Sequence, residues 1–132
     1  MASELKVNTL TGVSTAGSIA VTAEGNSTTT NLQQGLAKAW CDYDSAGTTF
    51  NDSFNMTSAT DNGTGDYTFT IANDLGGTRH SAVVSCTNDT VQNTTCVLRS
   101  KDATSTRLTI RVGDSGSNAD KQSHMTTHGD LA

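Results

Sequence analysis

The chain has 132 residues, room for one hydrophobic core rather than two, yet Leu, Ile, Val and Phe together supply only 22 of them, below the roughly one-fifth at which a chain can be expected to pack on its own. A formal net charge of -5 with 16% charged residues excludes the strongly self-repelling composition of disordered chains, and 8 scattered Lys and Arg exclude a nucleic-acid partner, which needs clustered cations against phosphate. No run approaches the about 20 apolar residues that span a bilayer, and Met1 to Leu10 lacks the basic and apolar regions of a secretion signal, so the expectation is synthesis in the cytoplasm with no membrane partner.

A chain so short of apolar side chains can gain burial by associating with copies of itself, and a homo-oligomer, most simply a homotrimer, is therefore expected. Thr, Ser, Asn and Gly dominate, Pro is absent and Glu occurs only at Glu4 and Glu24. Thr suits the exposed face of a strand, and Asn, Asp and Gly suit turns. The expected fold is all-β, a small β-sandwich over residues 31–132 preceded by an extended arm over 1–30.

The arm holds two short alternating segments, Leu5, Val7 and Thr9, then Ile19 and Val21 between Gly17 and Gly25. Two strands without further partners are marginal in water, so the arm is expected to lie on another surface. Leu5, Val7, Leu10, Ile19 and Val21 are its anchor candidates. Over Thr28 to Trp40 the four-residue spacing of Leu32 and Leu36, interrupted by Gly35 and flanked by Asn31 and Gln33-Gln34, allows one helical turn or an irregular connector. Leu32, Leu36 and Trp40 are the candidates for a trimer interface, Trp40 because a lone large aromatic at a joint packs between subunits more readily than it grips a sugar.

From Ala37 onward the signals are those of strands. Ala39, Cys41 and Tyr43 alternate with Lys38, Trp40 and Asp42, which turns Trp40 away from the Cys41 face. Phe54 and Met56 lead into a hairpin in which Asn62-Gly63 is the turn signal and Tyr67, Phe69 and Ile71 point inward. Further strands are expected at Ala82 to Cys86, at Cys96 to Arg99, and at Arg107 to Val112, with Leu108, Ile110 and Val112 inward and Arg107, Thr109 and Arg111 outward. Gly76-Gly77, Asn88-Asp89 and Gly113 to Ser117 supply breaks, and polar Gln122 to Leu131 reads as an edge strand.

Residues with chemistry to offer do not assemble into a site. Asp42, Asp44 and Gly47 begin like a calcium loop, but Ala46 and Ser53 stand where ligands are needed, so a plain turn is the better reading. His124 and His128 on a strand lie about 13 Å apart, too far to share a metal within one chain. No nucleophile elbow or phosphate-cradling loop is present, so neither an enzyme nor a cofactor is expected. Cys41, Cys86 and Cys96 form an odd set without a C-x-x-C pair, which favours buried thiols over a disulfide framework or a zinc site. Six N-x-S/T matches follow from the abundance of Asn and Thr. Exposed-loop candidates for contact with a surface are Asp61, Asn62 and Gly63 at the hairpin tip, and Arg79 and His80 after Gly76-Gly77.

Four stretches taken in order, Ser3-Glu4-Leu5-Lys6-Val7-Asn8-Thr9-Leu10, Leu36-Ala37-Lys38-Ala39-Trp40, Asp61-Asn62-Gly63-Thr64-Gly65-Asp66-Tyr67-Thr68-Phe69 and Gly129-Asp130-Leu131-Ala132, resemble a family of short tail-fibre-like virion proteins of marine tailed bacteriophages, especially those of cyanobacteria. The resemblance covers nearly the whole chain and departs from the family over Leu75 to Thr106 and around His124 to His128. It implies an N-terminal segment that attaches to other virion proteins and a C-terminal β domain that projects from the particle, usually in threes, with assembly in the host cytoplasm and residence in the virion. Three functions are open at this point: a trimeric fibre-like appendage with loop tips touching a host surface glycan, a capsid decoration protein that bridges head subunits, and a soluble carbohydrate-binding module.

Overall fold

Alternation of apolar and polar residues in runs rich in Thr, Val and aromatics commits most of this chain to strands. In the computed structural model, which describes residues 4–12, 19–22, 29–46, 48–87, 93–112 and 116–132, the protein is all-β apart from one helical turn, and its strands pair antiparallel. Gly17 and Gly25, which bound the Ile19 segment, Gly47 of the calcium-like stretch, and Asn88, Asp89 and Gly113, read above as breaks, lie outside the described residues, as do the side chains of Gln33 and Gln34. Two units separate, Met1–Leu36 and Ala37–Ala132. The division falls after Leu36, so the helical turn goes with the first unit, where a boundary after Thr30 would have given it to the β domain.

In the first unit, β1 (Ala20–Thr22) pairs with β2 (Thr29–Asn31), placing Val21 opposite Thr30. The turn α1 (Leu32–Gly35) follows directly, and the Leu32 amide donates to the Ile19 carbonyl at 2.8 Å. Leu5 to Thr9 does not form the strand its alternation suggests. Alternation alone does not satisfy a backbone, and among the described residues no strand pairs with this segment.

The second unit encloses a core. One sheet has the order β4-β3-β11-β7, from β3 (Ala37–Asp44), β4 (Thr49–Phe54), β7 (Ser81–Cys86) and β11 (Ser123–His128). The other runs β5-β6-β9, from β5 (Met56–Asp61), β6 (Asp66–Ile71) and β9 (Ser105–Val112); β8 (Thr94–Lys101) pairs with the far edge of β9, and β10 (Ser117–Asn118) pairs with the end of β9. The sheets meet as in a β-sandwich. Ala39, Cys41, Tyr43 and Met125 from one, and Tyr67, Phe69, Ile71, Leu108 and Ile110 from the other, share a single buried cluster with Leu75. Tyr43 is its centre, with ring centroids 5.0 Å from Tyr67, 5.2 Å from Phe69 and 5.9 Å from Phe50, in the tilted and edge-on geometries that aromatic quadrupoles favour.

Two expectations change. The polar segment expected at an edge is β11, which lies between β3 and β7. Its inward residues are Ser123, Met125 and Thr127, all buried, and small hydroxyl side chains fit where the sheets approach closely. Thr109, expected on the solvent face, is buried because β9 runs between β6 and β8, with Asp66 and Val97 directly opposite it.

One residue joins the sheets at their corner. Asn55, alone between β4 and β5, takes a left-handed φ of 57°, a conformation that Asn tolerates better than most residues because its short amide bonds locally. Its Nδ2 donates to the carbonyls of Lys38 at 2.9 Å and Asn73 at 3.1 Å, and its Oδ1 accepts from the Asn73 amide at 2.8 Å. The hairpin between β5 and β6 turns two residues later than Asn62-Gly63: the Asp66 amide donates to the Gly63 carbonyl, and Gly63 and Gly65 carry positive φ values of 124° and 64°. A side chain at Gly65 would also meet the Ala119 and Ile110 carbonyls at 2.7 Å.

Replacing Asn55 with Ala is expected to lower the unfolding free energy by about 2–3 kcal/mol, through lost hydrogen bonds and the left-handed backbone. Asn55→Gly, which relieves the backbone but not the hydrogen bonds, falls between Ala and the parent in urea unfolding midpoint.

Candidate functional site

Two loops and one arm carry the side chains left for contacts. At the hairpin tip Asp61, Asn62 and Gly63 are exposed as expected. The tip is held from within: Asp61 Oδ1 accepts from the Gly63 amide at 2.8 Å, and Asp120 accepts from the Gly65 amide at 2.7 Å and from the Tyr67 hydroxyl at 2.5 Å. Those bonds, the Tyr67 hydroxyl first, hold the Asp120 carboxyl below its ordinary range. Across the same strands Asp66 takes a two-point ion pair from Arg107, Nε at 2.8 Å and Nη2 at 2.6 Å, which likewise lowers the Asp66 carboxyl. Asp102 is lowered by the Thr104 amide first, then by the Thr104 hydroxyl and Ser105.

The second loop shapes a cavity of about 340 Å³ lined by Gly76, Gly77, Thr78, Arg79, His80 and Asp130. The two glycines leave its wall without side chains, Lys101 Nζ fastens the loop by donating to the Thr78 carbonyl at 2.7 Å, and the Gly76 amide donates to the Asp130 carbonyl at 2.8 Å. Arg79 is exposed. His80 is not, which corrects its place among the exposed-loop candidates: 9% exposed, it packs its Cβ where a side chain on Gly129 would come within 2.7 Å, and its Nδ1 lies 3.1 Å from the Gly77 carbonyl. Its Nε2 is buried without a hydrogen-bond partner among the described residues. Arg79 and Asp130 put one basic and one acidic residue in the lining, and the cavity's size sits at the lower end of about 300–1,000 Å³ for small-molecule sites. Sequence reasoning missed Asp130, whose place here depends on the isolated bridge between Leu75 and Leu131.

The remaining candidates are distributed as follows. Leu5, Val7, Leu10, Val21 and Leu36 are 80%, 55%, 56%, 50% and 54% exposed, while Ile19 and Leu32 are half-buried. Trp40 lies in the second unit, on the outer face of its sheet and directly opposite Phe54, itself exposed. Leu32 and Leu36 therefore belong to one unit and Trp40 to the other.

Asp42 accepts from Gln122 Nε2 at 2.7 Å, with His124 Nδ1 at 3.5 Å, and Asp44 accepts from the Ala46 amide at 3.0 Å, as in a turn. Among the described residues no group of three or more His, Cys, Asp or Glu is placed to hold an ion. No family model, no curated protein and no solved structure matches the chain.

Asp66, Asp102 and Asp120 make stability depend on pH in a definite direction. Each is more acidic folded than unfolded, so its contribution is complete above the ordinary carboxyl value of about 4 and is lost as pH falls from there through the lower folded values. Melting temperature is expected to hold steady from neutrality to about pH 5 and to drop below about pH 4. In Tyr67→Phe, which removes the hydroxyl that holds Asp120 down, the same series declines less steeply.

Proposed function

We propose that this chain is a non-enzymatic structural subunit of a tailed bacteriophage particle, a fibre-like appendage that works as a homotrimer. The first unit attaches to other virion proteins, and the β unit projects and touches the host surface. The observation that carries the reading is the disposition of apolar residues. The second unit encloses its own core, whereas Leu5, Val7, Leu10, Val21 and Leu36 of the first stand in water. Apolar side chains left in water in so short a unit need a cover, and a neighbouring subunit or particle protein supplies one. The resemblance of the four sequence stretches to fibre-like virion proteins agrees with that disposition.

Contact with the host falls to the cavity beside Arg79 and to the hairpin tip. A sugar unit fits the cavity's size and its mixture of donors and acceptors, and three copies on one scaffold turn weak single contacts into firm attachment.

Particles assembled with Leu5→Asp and Val7→Asp are expected to lose the protein while the purified variant keeps its cooperative unfolding. Sedimentation equilibrium of the parent chain should return the trimer mass; a monomer at every concentration defeats the trimeric reading. Imaging of intact particles separates a few copies at one site, as an appendage requires, from many copies over the head, which would make this a decoration protein. On a glycan array the parent chain is expected to give a signal that Arg79→Ala loses, and a signal unchanged by that substitution would remove the cavity from the host contact.

A further inference from the structure

Cys86 and Cys96 stand nine residues of intervening chain apart and on different sheets, yet the strands that carry them adjoin. β7 and β8 are both at sheet edges, β7 pairing with β11 and β8 with β9, and they adjoin where the sandwich closes. Cys86 lies opposite Ser123 and Cys96 opposite Ile110, so both point toward the shared core, against which both are packed. The two thiols are near enough to act on each other's ionisation. Cys41, by contrast, is buried in the centre of the core, and neither of the other two acts on its ionisation.

We propose that Cys86 and Cys96 are a built cross-linking site, closed to an intrachain disulfide by a peroxide, that ties the edge of one sheet to the edge of the other. The less buried thiol, Cys86, ionises and attacks one peroxide oxygen. The O–O bond breaks, leaving a sulfenic acid on Cys86 and a hydroxide that takes up a proton to become water. The Cys96 sulfur then attacks the sulfenic sulfur. An S–S bond forms, the S–OH bond breaks, and the hydroxyl leaves as a second water with the Cys96 proton. In sum, two thiols give up two electrons and two protons, and one peroxide becomes two waters.

Their surroundings set the character of the bond. Burial raises both thiols, Cys96 to about 12, which makes the first attack slow and makes each sulfur a poor leaving group once the disulfide exists. The site is therefore suited to a lasting clasp rather than to rapid exchange. Closing this short loop removes freedom from the unfolded chain.

The test uses the full chain, exposed to hydrogen peroxide and then denatured for thiol titration and peptide mapping. The expected result is a fall from three free thiols to one, a peptide pair joined through Cys86 and Cys96 with the loss of two hydrogens, and a melting temperature raised by about 10 °C, all reversed by dithiothreitol. Cys86→Ser and Cys96→Ser should each show no such shift. Sulfinic or sulfonic acids in place of the joined peptides, a disulfide that includes Cys41, or a link between two chains overturns the proposal. Mapping on the parent chain decides the matter even if a serine variant fails to fold.

Discussion

Everything in the β unit depends on Tyr43 standing between two sheets. It is fully buried, and Tyr67, Phe69 and Phe50 close around it from both sides. Six aromatics are all the chain has, one Trp, two Tyr and three Phe, and four of them are in this cluster. That concentration answers the shortage of aliphatic side chains: an aromatic side chain can bring about 150–250 Å² of surface out of water. Low apolar content thus limits the size of the core without preventing one. The deficit is felt in the first unit, where among the described residues no such cluster is formed and Leu5, Val7, Leu10, Val21 and Leu36 remain exposed.

Much of the β unit is readable from the sequence because its inward residues are unmistakable. In β3, β6 and β9 the buried positions are Cys41 and Tyr43, Tyr67, Phe69 and Ile71, Leu108 and Ile110, each two apart. Where the inward residue is a hydroxyl, the signal fails. Ser123 and Thr127 hide the central place of β11, and Thr109 is buried on a side that alternation assigns to solvent. The site is less legible than the fold, since its parts meet only through tertiary contacts. Arg79 and the hairpin tip announce themselves by turn chemistry, but the burial of His80 depends on Gly129, and the meeting of Cys86 with Cys96 depends on which strands lie at the edges.

The acidity of the chain also finds a structural account. Most of its acids are Asp, with Glu only at positions 4 and 24, and Asp is the shorter side chain that can reach its own backbone. Asp44, Asp61 and Asp102 each accept from an amide two residues on, and Asp120 reaches across to the Gly65 turn. Negative charge here is largely turn chemistry. At these four positions it needs no cationic partner to explain it.

Finally, β11 is made last of these strands and yet occupies the middle of its sheet, hydrogen-bonded to β3 on one side and β7 on the other. A ribosome therefore releases β3 and β7 with a gap between them. Until Ser123 to His128 have emerged, both keep an open ladder of amides and carbonyls toward that gap, the kind of edge on which nascent chains stick to one another. The sheet can be completed only after Ser123 to His128 have been translated, so any pause before then prolongs the interval in which it is most prone to aggregate.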